Sequence, residues 1–352
     1  MSIVNYLLSL TLGQDTFVRK CSNLFGILLT YSYLCGMKVT IYQHTDHLPE
    51  LSTGNFFHSR ELMALCEHTP RMKPYMAVVT DEDGVVQAHL LAIMRIRKSW
   101  FPPYLYTHVR IYGDNGSSAW DFGLMLEALT RQLQNRTLYI ELSHLREKMF
   151  GYRELRQQRF FPVRWMNIHN SLHSRTPEER IDEQQLQRIK HARQHGIVTK
   201  PVETLREFND FSKLLRSHHW LKPKRYIPDD SFFREMMQRG MCQILITKFY
   251  DRVIGATVTV FSNGDAYLWY SASRRKSFAP LHPNAVTMWA TIKAAHAAGY
   301  QHIRFMDVGL PFRRNPYRDF ILRFGGKETS TYRWFRISIR WVNSLASWLW
   351  RE

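Results

Sequence analysis

A short phrase occurs twice in this chain, and the repetition constrains its architecture more than any other feature. Tyr152-Arg153-Glu154-Leu155 precedes Arg159-Phe160; Tyr317-Arg318-Asp319-Phe320 precedes Arg323-Phe324, 165 residues further on. The surroundings repeat too. Each copy follows a helix-patterned segment and then a short apolar strand ending in a carboxylate, Leu138-Tyr139-Ile140-Glu141 and Ile303-Arg304-Phe305-Met306-Asp307. Further upstream, each half has two strand-like runs about a tight turn, Asp83-Gly84 and Asn263-Gly264. Two such units predict a duplicated fold with a cleft where the halves meet.

The length of 352 residues suits two domains, and a 45% hydrophobic fraction with ten Trp is enough for real cores. Cys21, Cys35, Cys66 and Cys242 form no C-x-x-C pair, so neither zinc site nor disulfide framework is signalled, and a reducing cytoplasm fits. The net charge of +18 implies an anionic partner: nucleic acid, an anionic lipid surface or a phosphorylated substrate. No nucleic-acid recognition motif is legible. Leu24 to Cys35 is apolar but shorter than a membrane span, and Gly26 and Ser32 interrupt it. Residues 1–36 therefore read as an N-terminal extension rather than an anchor.

The first unit is expected over residues 37–174. Phe56 to His68 has helical spacing, Tyr75 to Val79 and Val85 to Arg95 read as a hairpin, and Tyr104 to Ile111 as a strand. Trp120 to Gln134 carries a helical stripe of Phe122, Met125, Leu126, Leu129 and Leu133. Thr176-Pro177-Glu178-Glu179 opens a basic helix towards Gly196, which bridges the halves over residues 175–197. The second unit, residues 198–337, repeats the plan: helices at Leu205 to Ser217 and Asp230 to Arg239, strands at Met241 to Lys248, Val253 to Phe261 and Ala266 to Ala272, a helix from Asn284 to Ala298, and a last strand from Thr331. Residues 338–352 form an amphipathic tail. This order describes an α/β (α+β) fold with mixed, twisted sheets flanked by helices.

Chemistry is narrowed by what is missing. The chain has no G-x-G-x-x-G, no Walker A loop, no G-x-S-x-G elbow and no nucleophilic Cys setting. His218-His219 are adjacent on a helix and point apart, which makes a poor metal pair. What remains is transfer by positioning two substrates and stabilising charge.

Pro283-Asn284-Ala285-Val286-Thr287-Met288-Trp289, followed by Phe305-Met306-Asp307-Val308-Gly309 and by Arg318-Asp319-Phe320 with Arg323-Phe324-Gly325-Gly326, resembles the second half of FemAB-like acyltransferases, which are tandem-GNAT proteins. Gln187 to Gly196 resembles their basic inter-domain helix. The resemblance implies two GNAT-like domains and transfer of an acyl group to an amine on an envelope or polysaccharide precursor. The donor it implies is acyl-CoA (acetyl-CoA), with aminoacyl-tRNA as the alternative. The partner it implies is an anionic, phosphate-bearing or lipid-linked precursor, met by a cytoplasmic protein at the inner face of the membrane. A non-catalytic binder of anionic glycan or lipid is a third reading. Two departures stand out. Ile321 occupies the place of the family block's Lys, and the glycine-rich pyrophosphate loop is replaced by Ser273-Arg274-Arg275-Lys276-Ser277-Phe278-Ala279-Pro280-Leu281-His282.

Candidate sites follow. Asp307 could accept the proton of an attacking amine, or cap the Val308-Gly309 turn. Tyr270 could donate to a leaving group, or pack with its hydroxyl satisfied. Tyr267 and Trp269 should share one sheet face, with Leu268 and Tyr270 on the other. Ser273, Arg274, Arg275, Lys276 and Asn284 precede or open a helix and are the cofactor candidates. Arg188, Lys190, Arg193, Glu141, Arg318 and Arg323 are candidates for substrate binding; a solvated basic helix is the plain alternative for the first three. No metal site is expected. The tail stripe of Trp341, Leu345, Trp348 and Leu349, with Arg340 and Arg351, suits either a membrane surface or docking on the second domain.

Overall fold

The computed structural model describes residues 31–32, 37–51, 54–96, 107–219 and 226–350. The expectations for residues 1–30, 33–36 and 104–106, and for Arg351, lie outside these. The first half contributes strands β1 (Tyr31–Ser32), β2 (Lys38–Tyr42), β3 (Met72–Thr80), β4 (Val86–Ile96), β5 (Thr107–Tyr112), β6 (Tyr139–Ser143) and β7 (Phe161–Ser171). Its helices are α1 (Arg60–His68), α2 (Ala119–Leu133) and α3 (Tyr152–Gln157), the last built from the first repeat. The connection holds α4 (Pro177–Arg180) and α5 (Glu183–Gln194). The second half has β8 (Ile197–Pro201), α6 (Leu205–His219), α7 (Asp230–Gln238), β9 (Cys242–Phe249), β10 (Arg252–Ser262), β11 (Asp265–Ser273), α8 (Pro283–Ala297), β12 (His302–Phe305), α9 (Pro316–Leu322, the second repeat), β13 (Lys327–Ile337) and α10 (Arg340–Leu349).

Local chemistry explains most boundaries. The Ser59 side chain accepts from Leu62 N–H to start α1, and Ser118 accepts from Asp121 N–H to start α2. The α2 stripe from Phe122 to Leu133 is buried as its spacing requires. The connecting segment is two helices rather than one. Ile181 is extended, and the Asp182 carboxylate accepts from Gln185 N–H, capping a fresh start. Strand β8 has too short an apolar pattern to be legible from the sequence.

All strands among the described residues join one mixed sheet, ordered β1-β2-β3-β4-β5-β6-β13-β7-β12-β11-β10-β9-β8. The halves meet by exchanging their closing strands. β7 follows the first repeat yet pairs antiparallel with β12, placing Ile168 opposite Phe305. β13 follows the second repeat yet pairs with β6, placing Phe335 opposite Glu141. β7 and β13 pair with each other at the centre. The Phe324-Gly325-Gly326 turn makes this possible: Gly325 has φ +84°, and a Cβ on Gly326 would crowd Ile168 and Asn170 of β7. One core is also shared, since Met76, Leu91 and Tyr112 pack in the same cluster as Phe211, Phe233 and Trp269.

Strand β11 departs from simple alternation. Val258 of β10 pairs with Tyr270 and Thr259 with Leu268, so Trp269 is an extra, bulged residue. The bulge turns Tyr270 and Ala272 to the face that Trp269 already occupies, while Ala266 and Leu268 face the other core. The expected pairing of Tyr270 with Leu268 on one face is therefore corrected.

Candidate functional site

Two clefts adjoin β11, one at each end. β11 and β12 are parallel and pair from Asp265 with His302 as far as Leu268 with Phe305. Beyond that point β12 has ended and β11 runs on to Ser273, so the sheet opens. A cleft of about 590 Å³ fills this opening. It brings together all five cofactor candidates, Ser273, Arg274, Arg275, Lys276 and Asn284. His218 forms a further wall, and its Nδ1 lies 3.3 Å from Ser273 N. Tyr317 and Phe320 of the second repeat close another side. Helix α8 seats closely on β10 beneath the cleft because position 255 is glycine: a Cβ there would collide with Thr287 Oγ1.

The second cleft, of about 470 Å³, lies between the halves. The first half lines it with Tyr112 and His144, the second with Tyr267, Arg304 and Met306. Beside it lies a four-membered charge network. Arg333 Nη2 donates to Asp307 Oδ1 at 2.7 Å, and Arg110 Nη2 donates to the same oxygen at 3.2 Å. Arg333 Nη1 and Arg110 Nη1 stand 3.0 and 3.6 Å from Glu141 Oε1. Asp307 has φ +65°, an uncommon conformation that asparagine and aspartate tolerate best. Arg110 also lies over the Tyr112 ring at 4.6 Å, and Arg333 over Trp165 at 3.9 Å.

Tyr112 is the most unusual group here. Its hydroxyl oxygen accepts from Arg95 Nη2 at 3.0 Å and from Trp269 Nε1 at 3.2 Å. Burial pushes the phenol pKa up, but the positive charges of Arg110 and Arg95 outweigh it and leave the phenol below its ordinary value. His144 stacks on Tyr112 at 6.3 Å. Burial, reinforced by Arg333 and Arg110, holds its imidazole well below the usual pKa, so it stays neutral.

The remaining sequence candidates divide. Glu141 is buried within the network described above. Tyr270 is buried, its hydroxyl donates to Tyr226 O at 3.4 Å, and it lines neither cleft. Arg188 lies close enough to His282, at the foot of the cationic loop, to lower the imidazole pKa, after burial as the larger cause. Lys190 and Arg193 are exposed on α5. Arg318 is held by its own loop: Nη1 donates to Leu310 O at 3.0 Å, and Nε pairs with Glu328 at 3.2 Å. Arg323 is exposed, and its carbonyl accepts from Asp182 N–H. Ile321 is fully buried with Phe324 and Trp289, so the position of the family's lysine is part of the core here.

Sequence reasoning missed Arg110, Arg333, Tyr112, Trp269 and His144. A signal existed for the first: an arginine inside the otherwise apolar run Val109-Arg110-Ile111 must find a buried partner. Among the described residues, no cluster of three His, Cys, Asp or Glu side chains is arranged to hold a metal.

Residues 183–314 match the acetyltransferase (GNAT) domain family. No curated protein sequence matches the chain. Solved structures share its fold at low identity. FemX aligns with a TM-score of 0.54 at 11% identity, covering 81% of this chain and 97% of its own. L-PGS from Bacillus licheniformis gives 0.53 at 12%, covering 82% and 92%. The C-terminal domain assigned to a lysylphosphatidylglycerol synthetase in Agrobacterium fabrum gives 0.53 at 8%, covering 83% and 90%. The molecule is thus a mixed α/β protein with a GNAT acyltransferase-family domain in its second half. The GNAT domain that the resemblance implied for the second half is borne out, and the fold is shared with FemX.

Proposed function

We propose that the protein is an N-acyltransferase that binds an acyl-CoA in the cationic cleft and transfers the acyl group directly to an amine held between the halves. One observation carries this reading: Ser273, Arg274, Arg275, Lys276 and Asn284 converge on a single cleft where β11 leaves β12. The loop has no glycines to bring backbone near a pyrophosphate. Its guanidinium and ammonium groups supply the counter-charge instead, beside the first turn of α8. Tyr267 and Ser271 sit on the same strand, one in each cleft. They are about 13 Å apart at the rise of a β-strand, within reach of an extended thioester arm.

In the transfer the amine nitrogen attacks the thioester carbonyl, the N–C bond forms and the C–S bond breaks. The amine proton leaves and the CoA sulfur receives one. Tyr112 is the group we assign to that exchange, because two N–H donors and two nearby guanidiniums favour its phenolate. Asp307, which accepts from both arginines, holds Arg110 over the Tyr112 ring rather than acting as the base. The acceptor is proposed to be an amine on an anionic, phosphate-bearing or lipid-linked envelope precursor, with Arg304, Arg146 and Lys148 outnumbering Asp265 and Asp114, which pair with the two arginines, on the cleft lining. A thermal-shift series with acetyl-CoA, longer acyl-CoAs and desulfo-CoA tests the donor. Stabilisation by thioesters is expected; no shift with any of them would overturn the CoA reading.

A further inference from the structure

Helix α10 is turned inside out. A surface helix normally buries its apolar stripe. Here the side chain that goes inward is Asn343, whose Nδ2 donates to Arg159 O at 3.0 Å and whose Oδ1 accepts from Ile337 N–H at 2.8 Å. Arg156 Nη1 reaches Ser347 Oγ from below at 3.5 Å. Trp341, Leu345, Trp348 and Leu349 point outward, at 72, 49, 61 and 63% exposure. Phe312, 67% exposed, extends the patch, its ring 6.1 Å from that of Trp350. The expectation that this stripe docks on its own domain is overturned.

Beside the stripe is a cavity of about 390 Å³ rich in cations. Arg336, Arg159 and Arg340 line it, and its one lining carboxylate, Glu127, is already paired with Arg131. Arg336 donates from Nε to Gln158 O and from Nη2 to Gln134 Oε1, but its buried Nη1 has no hydrogen-bond partner. Burial, together with the like charges of Arg159 and Arg340, draws its pKa below the usual guanidinium value. This is a pocket short of an anion. Positions 340, 343 and 344, which line it, border the outward stripe around the helix.

We propose that α10 docks the protein on an anionic phospholipid surface, with the two tryptophans and two leucines entering the interface and a lipid phosphate occupying the Arg336 cavity. Charge decides for lipid over a second copy of the chain. α10 contains no carboxylate, and the exposed residues flanking the patch are Arg340, Arg313 and Arg314, so two copies meeting here would oppose like charges. Tryptophan beside arginine is the composition that rests at a headgroup boundary. The loop carrying Phe312 follows Asp307 directly, so docking brings the cleft between the halves near the surface. The inference concerns binding and stands whether or not the transferase reading holds.

The test is co-sedimentation of the full chain with vesicles of phosphatidylcholine alone and of phosphatidylcholine with phosphatidylglycerol. Binding is expected to the mixed vesicles. The charge-neutral pair Trp341→Ser with Trp348→Ser should weaken it at least about tenfold, and Arg336→Gln about fivefold, each with an unchanged circular dichroism spectrum. Three results would overturn the proposal. The double variant could bind as well as the parent, making the basic surface alone responsible. Inorganic phosphate at matched ionic strength could erase the Arg336→Gln difference, assigning the cavity to the free ion. Light scattering could reveal a dimer that the tryptophan substitutions dissolve.

Discussion

The loops that follow β5 and β11 occupy corresponding places in the two halves, and their chemistry is opposite. After β5 comes Gly113-Asp114-Asn115-Gly116-Ser117-Ser118, and the loop is closed on itself. Asp114 is buried, accepts from Gly116 N–H at 3.1 Å, and pairs with Arg146 Nε at 3.3 Å. The strands below stay paired to the end, Tyr112 opposite Ser143. After β11 the strands have parted, and the loop offers Arg274, Arg275 and Lys276 to a cleft. A buried carboxylate repels phosphate, and three cations attract it. Of these two loops, only the second-half one presents a cluster of cations to a cleft, and the first half lends its own strand residues to the cleft between the halves.

The largest test of this division is whether the halves can be separated at all. Arg333 lies on the strand that the second repeat sends to β6, where it meets Glu141. Replacing it with Met leaves Asp307 and Glu141 short of a buried counter-charge and should cost about 3–5 kcal/mol in urea unfolding. One transition is expected for the whole sheet. Two separated transitions would show that the exchanged strands do not couple the halves.

Next in size is the effect on turnover. If the first half supplies the proton-handling phenol, Tyr112→Phe should lower kcat about a hundredfold while acyl-CoA affinity is kept. Tyr270→Phe should change kcat little, because its hydroxyl meets a carbonyl in the core. The reverse result would return the chemistry to the second half alone. The donor side is tested by Arg274→Gln, Arg275→Gln and Lys276→Gln together. This should raise the acyl-CoA Kd by about a hundredfold, whereas Asp114→Asn in the first-half loop should leave it unchanged.

The repeat itself was a sound guide, because a helix stripe and a turn are local patterns. Phe122, Met125 and Leu129 declare α2 without help from the rest of the chain. The cationic loop was equally legible, since its place between a strand and a helix is set by sequence order. What could not be read was which closing strand goes where. Strand exchange is decided by the close approach of Gly326 to β7 and by pairings as distant in the chain as Phe335 with Glu141, and neither leaves a periodic trace. Tyr112 escaped notice for the same reason. Its hydroxyl partners Arg95 and Trp269 arrive from two other strands, and the Trp269 bulge that aims one of them depends on the register with β10. The inverted C-terminal helix had the right stripe, but its orientation is set by Asn343, a residue that amphipathicity counts as merely polar.

The smallest predicted effect separates the halves by pH. In the first half, His58 is fully buried and accepts from Leu91 N–H at 3.0 Å. Burial, with the neighbouring His89, lowers its pKa to about 3, and burial lowers that of His89 to about 4. Both stay neutral in the fold while the unfolded chain takes up protons near pH 6.5. Below that pH the unfolded state binds more protons, so stability falls as pH falls, by about 2 kcal/mol for each histidine at pH 5. In the second half, burial raises the pKa of Glu207, but bonds from Lys200, Glu203 N–H and Lys248 bring it down to about 2. Its contribution is complete above about pH 4.5 and is lost only as pH falls from there towards 2. Urea unfolding should therefore weaken between pH 7 and 5, chiefly through the buried first-half histidines His58, His89 and His144, with a smaller part from the half-buried His169 and His282. His58→Gln, which keeps an acceptor for Leu91 and cannot titrate, should remove its share of that loss, about 2 kcal/mol at pH 5. An unchanged slope in the variant would mean that His58 is already charged in the fold, and that the first-half core tolerates a cation its packing gives no sign of accommodating.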